Sequence, residues 1–211
     1  MLNISEIFQS IQGEGPNTGQ PSIFLRTAGC NLNCEWCDSK YSLNVLDNLT
    51  LSVEEVVKQI RSFDCKNLVV TGGEPLLQQK LLREVLSELK DYFIEVETNG
   101  TIKSQLDEHI DQYNCSPKLE SSGNKKYPLK ILPNNKTWYK FVINEEEDFF
   151  SSIKFASDYK IPRERVLMMP QCRTRDECYH KSLWLVDKCN QSGYSFCPRL
   201  HIMLWDNQRE R

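Results

Sequence analysis

Short apolar runs and longer amphipathic runs alternate along this 211-residue chain, and that alternation restricts its fold more than any other feature. Ser22–Thr27 (SIFLRT), Asn67–Thr71 (NLVVT), Phe93–Glu97 (FIEVE), Gln112–Ser116, Thr137–Ile143, Arg165–Met169 and Arg199–Leu204 read as strands. Between them, VEEVVKQIRSF follows a Ser52/Glu55 capping box, and LLQQKLLREVLSELK follows Pro75 with Leu82, Leu86 and Leu89 on one helical face. Two further helices are expected across Glu145–Tyr159 and around Glu177–Cys189. Repeated β–α units demand a parallel sheet with right-handed crossovers, covered by its helices. Six or so units are too few for an eightfold barrel. The expected fold is α/β, a partial (incomplete) TIM-like barrel with a mostly parallel sheet, in one domain over residues 1–211. Glu120–Asn135 is the one long loop, either an ordered lid or a mobile excursion.

Ligands in such folds gather at the C-terminal ends of the strands. Here those ends are Gly29–Ser39, Thr71–Glu74, Thr98–Gly100, Ser116–Lys118, Asn144 and Pro170–Gln171. The unusual residues sit there, which points to a single site. A formal net charge of −3 gives no basic footprint, so nucleic acid is not the expected partner and a small molecule is. Lys125, Lys126 and Lys130 read as a solvated loop. Apolar runs are too short to span a bilayer, and MLNISEIFQ lacks the basic-then-apolar order of a secretion signal; a cytoplasmic location and no membrane partner are expected.

Nine cysteines are many, and an odd number. Without a signal segment, metal binding or free thiols are expected before disulfides. Cys30, Cys34 and Cys37 cluster within GCNLNCEWCD, whereas Cys65, Cys115, Cys172, Cys178, Cys189 and Cys197 are scattered and read as free thiols, with a second cluster from Cys172, Cys178, Cys189 and Cys197 left open though without recognisable spacing. Three thiolates on a four-iron cluster leave one iron open to a reactant. Downstream, Thr71–Pro75 (TGGEP) leaves a strand with two glycines, which bring backbone close to a ligand, and a carboxylate, which accepts from an ammonium. A partial zinc site and a plain strand-to-helix turn are the blander readings of the two motifs taken singly.

Together, CNLNCEWC and TGGEP resemble the radical S-adenosylmethionine superfamily, in which the cofactor's methionine chelates the open iron. The upstream segment Ile7–Arg26 (IFQSIQGEGPNTGQPSIFLR) is similar to the N-terminal signature of the 7-carboxy-7-deazaguanine synthase family. Ser116–Lys118 (SPK) and Arg199–His201 (RLH) resemble that family too. The resemblance implies a 4Fe–4S cluster on Cys30, Cys34 and Cys37, and S-adenosylmethionine against Trp36, Asp38, Gly73, Glu74, Ser116, Pro117, Lys118 and Gln171. It implies a pterin substrate held by Ile11, Gln12, Gly13, Glu14, Arg26, Thr71 and His201. Magnesium (Mg2+) is implied at Ser39, where threonine is common in relatives; a hydroxyl keeps the hard oxygen donor that this ion takes. A homodimer and a flavodoxin reductant are further implications. Two rivals remain at this point: a glycyl-radical-enzyme activase of the same superfamily, and a non-catalytic zinc-stabilised binding module.

Overall fold

A computed structural model describes residues 1–211. Its nine strands are β1 (Leu2–Ile11), β2 (Pro21–Thr27), β3 (Leu49–Leu51), β4 (Asn67–Gly72), β5 (Phe93–Thr98), β6 (Gln112–Cys115), β7 (Thr137–Ile143), β8 (Val166–Pro170) and β9 (Ser195–Phe196). They form one sheet in the order β3-β1-β2-β4-β5-β6-β7-β8-β9. From β2 onward each neighbour is parallel, and β1 is antiparallel to both β2 and β3. The end strands β3 and β9 do not meet, so the barrel stays open as expected.

The helices are α1 (Val53–Arg61), α2 (Gln79–Ser87), α3 (Glu146–Asp158), α4 (Arg175–Ser192) and α5 (Leu200–Trp205). The Ser52/Glu55 capping box forms, with the Ser52 hydroxyl accepting from the Glu55 N–H at 3.2 Å and the Glu55 carboxylate accepting from the Ser52 N–H at 2.7 Å. Such a cap contributes about 1 kcal/mol. The run after Pro75 begins as a 3-10 turn, Pro75–Gln78, before continuing as α2. No α-helix separates β5 from β6 or β6 from β7; the second gap holds the long loop, with a 3-10 turn at Glu120–Ser122.

Alternation along the strands sorts side chains between two faces. Ile94 and Val96 of β5, Tyr113 and Cys115 of β6, and Tyr139, Phe141 and Ile143 of β7 enter the main apolar core under the helices. Glu97, Lys140 and Val142 line the opposite, concave side with Phe24 and Arg26 of β2. The polar half of each strand thus builds the site, and the apolar half holds it in place.

Two strand expectations need correction. β1 is a full strand that plain alternation conceals, because its register with β2 shifts between Ile4 and Glu6. Leu2, Ile4 and Ile7 meet the core, while Glu6 and Phe8 turn to the cavity. A bulge of this kind re-aims the side chains that follow it. Arg199–Leu204 is not the last strand; β9 is Ser195–Phe196, and Leu200–Trp205 is α5. Six residues cannot separate helical from extended periodicity, and packing against α4, with Ile202 buried, decides for helix. Cys172 and Cys178 are also not free thiols: the turn between β8 and α4 folds them together into a disulfide. The other seven cysteines are free.

Candidate active site

A cavity of about 390 Å3 opens at the C-terminal ends of the strands. The three cysteines Cys30, Cys34 and Cys37 line it, as do Ile11, Gln12, Gly13, Glu14, Arg26, Trp36, Asp38, Ser39, Thr71, Gly73, Ser116, Lys118, Gln171 and His201. Glu74 and Pro117 do not reach it. Glu74 is fully buried behind the wall, where its carboxylate accepts from the Asn99 N–H at 2.7 Å, the Leu76 N–H at 3.1 Å and the Thr98 hydroxyl at 2.9 Å. Burial pushes its pKa up and these donors pull it back. Glu74 is therefore a staple between β4 and β5; the part of its motif that faces the cavity is the Gly72–Gly73 backbone.

The cysteine loop rests on that backbone. Gly73 N–H donates to the Thr27 carbonyl at 3.2 Å, and Glu74 N–H to the Gly29 carbonyl at 2.9 Å. A Cβ at Gly73 would lie 2.3 Å from the Gly29 oxygen and 2.8 Å from the Cys30 Cβ, so only glycine permits this approach. On the other side the Asn99 amide donates to Asn31 at 2.9 Å. The loop after β6 completes the frame: Ser122 O accepts from Glu35 N–H at 3.0 Å, and Ser121 O from Trp36 Nε1 at 3.1 Å. Lys118 lies 5.5 Å above the Trp36 ring and donates to Ser116 at 2.7 Å.

A chain of charges, most of them buried, also lines the cavity and reaches the cysteine loop at Asp38. Lys140, on β7, donates to Glu14 at 2.5 Å and to Glu97 at 2.8 Å. The other Glu14 oxygen accepts from Arg199 Nε at 2.8 Å, and Arg199 continues to the Asp38 carboxylate and the Cys172 carbonyl. Burial opposes charge on Glu14, yet Lys140, Arg199 and His201 outweigh it and hold its pKa well below the carboxylate range. Asp38 is lowered in the same way, with Arg199 overcoming burial. His201 is pushed down to about 4 by burial, against the pull of Glu14, and is neutral at physiological pH. Deeper in, Gln12 turns its amide onto Glu95, which also accepts from Asn17 at 2.8 Å and Gln112 at 2.9 Å. Burial and the neighbouring Glu97 raise the Glu95 pKa.

A third set holds Arg26. The Glu6 carboxylate, almost wholly buried, accepts from Arg26 Nε at 3.0 Å, Tyr41 OH at 3.0 Å and Arg209 Nε at 2.6 Å. Arg209 also stacks 4.1 Å from the Tyr41 ring, so the last residues, Asn207–Arg211, form part of the cavity rim. Sequence reasoning missed Glu6, Glu97, Lys140 and the ion-pairing role of Arg199. The available signal was a charged residue inside an apolar strand, as in TWYKFVI and FIEVE, since such residues are almost never buried unless paired.

Comparison with known proteins fits this geometry. Residues 24–118 match the radical SAM superfamily. A 7-carboxy-7-deazaguanine synthase from Pyrobaculum aerophilum is 37% identical over 99% of this chain and 96% of its own length. This chain belongs to the 7-carboxy-7-deazaguanine synthase family. The family member from Halobacterium salinarum is 33% identical over 99% of the chain and 92% of its own length. The crystal structure of QueE from Escherichia coli shares the fold, with a TM-score of 0.71 at 21% identity over 93% of this chain and 92% of its own.

Membership in this radical SAM family implies a 4Fe–4S cluster and S-adenosylmethionine, and the residues present fit both. Three free thiols face one cavity, and two of their sulfurs have a nitrogen donor aimed at them: Leu32 N–H at 3.4 Å from Cys30, and the Asn124 amide at 3.2 Å from Cys34. Iron–sulfur clusters are held by cysteine thiolates, and this loop supplies three of them to the cavity. The Gly72–Gly73 backbone and the Trp36 ring line the same cavity, where the cofactor would lie against them.

Proposed function

We propose that this protein catalyses the radical-SAM ring contraction of 6-carboxy-5,6,7,8-tetrahydropterin to 7-carboxy-7-deazaguanine, with release of ammonia, in 7-deazapurine (queuosine-type) biosynthesis. The observation that carries this reading is the meeting, in one cavity, of the glycine-flanked Glu14 turn with the three-cysteine loop. When bound, the cluster and cofactor supply a carbon-centred radical able to take a hydrogen atom from the substrate.

The chain's own residues provide recognition and exclusion of water. Lys140 and Arg199 keep Glu14 ionised, so its carboxylate is ready to accept from the N–H groups of a pterin. Gly13 carries no side chain, which lets His201 pack directly against its backbone at the cavity wall. Arg26 spends Nε on Glu6, which fixes the guanidinium plane and leaves its Nη groups for the substrate carboxylate. His201, neutral, closes the wall as a hydrogen-bonding group without adding charge. Ser39 lines the cavity beside Cys37, with Oγ 3.8 Å from Sγ, and is our candidate oxygen donor to magnesium. Trp36, Asp38, Ser116, Lys118 and Gln171 are our candidates for the cofactor side. A flavodoxin-type donor, a homodimer and a single radical SAM domain complete the reading.

An activase of glycyl-radical enzymes would not need the buried Glu14–Lys140–Arg199 recognition wall, and the family relatives do not favour it. The test is anaerobic reconstitution with iron and sulfide, then S-adenosylmethionine, magnesium, a reductant and 6-carboxytetrahydropterin, read by mass spectrometry. Deazapurine formed over many turnovers supports the reading. Accumulation of 5′-deoxyadenosine with the pterin intact overturns the substrate, and zinc in place of iron overturns the radical chemistry.

A further inference from the structure

The loop that joins β6 to β7 sends one polar side chain to the cysteines. The Asn124 Nδ2 lies 3.2 Å from the Cys34 sulfur. Its orientation is fixed by the other end of the amide, because Oδ1 accepts the backbone N–H of Asn33 at 3.0 Å. The flipped amide would set oxygen against sulfur and leave the Asn33 N–H facing a donor. The second Nδ2 hydrogen goes to Ser122 Oγ at 3.1 Å, so both are directed. The loop cannot drift from this position, being tied through Ser121 and Ser122 to Trp36 and Glu35.

A thiol is a poor hydrogen-bond acceptor, whereas a thiolate bound to iron is a good one. A donor with a fixed amide therefore has its full effect only once the cluster is present. The reduction potentials of iron–sulfur clusters respond to charge, solvent exposure and hydrogen bonds to sulfur. One-electron reduction makes the cluster more negative, so a donor to its sulfur stabilises the reduced form more than the oxidised one. We propose that Asn124 tunes the reduction potential of the cluster through the Cys34 sulfur, raising it so that the donor's electron can be accepted. Asn124 is a positioning residue here, acting through Cys34 rather than on substrate. The proposal rests on the iron–sulfur reading of the cysteines but not on the identity of the substrate.

The test is an EPR-monitored redox titration of the reconstituted protein, without pterin, for wild type, Asn124→Asp and Asn124→Leu. Asn124→Asp keeps an oxygen for the Asn33 N–H but replaces the donor to sulfur by a carboxylate oxygen. A purely structural role predicts a wild-type potential in loaded Asn124→Leu, whereas the new carboxylate of Asp lowers the potential by its charge in either case. A tuning role predicts that both lower the potential, Asp further than Leu. The expected fall for Leu is about a tenfold shift of the reduction equilibrium, ~59 mV for one electron. A wild-type potential in fully loaded Asn124→Leu would overturn the proposal. Should either variant fail to load iron, pulsed EPR on the wild-type reduced cluster with 15N-labelled asparagine amides decides. A coupled amide nitrogen that remains in Asn99→Asp and Asn31→Asp proteins supports it, and no coupling overturns it. Zinc in the wild-type protein would instead refute the iron–sulfur reading itself.

Discussion

Replacing Lys140 by methionine keeps a buried apolar stem and removes one charge, which makes its consequence calculable. Lys140 is 3% exposed and pairs with two carboxylates, Glu14 at 2.5 Å and Glu97 at 2.8 Å. After the change Glu14 still has Arg199 at 2.8 Å. Glu97 keeps only amides, from Asn114 at 3.0 Å and Gln12 at 3.4 Å, and no cation. Leaving a buried charge without its partner costs about 3–5 kcal/mol. For a chain of this size each kcal/mol moves the midpoint by roughly 2–4 °C, so Tm should fall by about 6–20 °C. Thermal unfolding of the metal-free chain by circular dichroism measures this without any need for activity. The same experiment on Lys140→Met/Glu97→Gln should recover about 2 kcal/mol, because the stranded charge is gone. A fall of less than about 2 °C, or a double variant no better than the single one, would refute the placement of Lys140 as the counter-charge of this wall.

Gly13→Ala would set a Cβ 2.0 Å from the His201 Nδ1; moving His201 away should cost about 1–3 kcal/mol and raise KM for the pterin more than it lowers kcat. Arg209→Ala removes an exposed member of the Glu6 set, so stability should change by less than ~1 kcal/mol, while an opened rim should raise KM several-fold in steady-state assays. His201 binds its proton in the unfolded chain near pH 6.5 but in the native state only near 4. The unfolded state therefore holds the extra proton between these values, and stability rises with pH across that window by up to about 1.4 kcal/mol per unit, then levels off above it. Denaturant titrations from pH 4 to 8 should show that slope in the wild type and its loss in His201→Gln. Cys30→Ala, Cys34→Ala and Cys37→Ala should each abolish the brown chromophore and the iron content after anaerobic reconstitution, with far-UV circular dichroism unchanged.

Much of this architecture is legible in the chain because its period changes are clean. NLVVT, FIEVE and TWYKFVI announce parallel strands; the ends of the first two mark the cavity, whereas Asn144, after the third, turns to Asp148 and Lys181 and does not line it. The cysteine loop and the QGEG turn are legible for a different reason: their chemistry is local, carried by a few adjacent residues. What is not legible comes from long-range pairing. Nothing beside Glu14 in the sequence says that Lys140 and Arg199 neutralise it, 126 and 185 residues away. Glu74 sits in a motif that points to a ligand, but its carboxylate is consumed by Thr98 and Asn99, which only the β4–β5 pairing brings near. β1 escapes notice because a bulge breaks its alternation, and α5 because six residues carry too little period. The Cys172–Cys178 pair depends on the turn before α4, whose course the spacing of six residues leaves open.

The contact between the Glu14 turn and the segment Arg199–His201 also has a consequence in time. Gly13 O accepts the Leu200 N–H at 2.9 Å, and Glu14 receives Arg199, so the two ends of the chain close the cavity together. At translation rates of about 5–20 residues per second, the first partner waits roughly 10–40 s for the second. The cysteine loop, β4 and β5 leave the ribosome well before that closure. For that interval there is no Arg199 to bridge Glu14 to Asp38. The Glu14–Arg199–Asp38 bridge is thus among the last links of the cavity to be made.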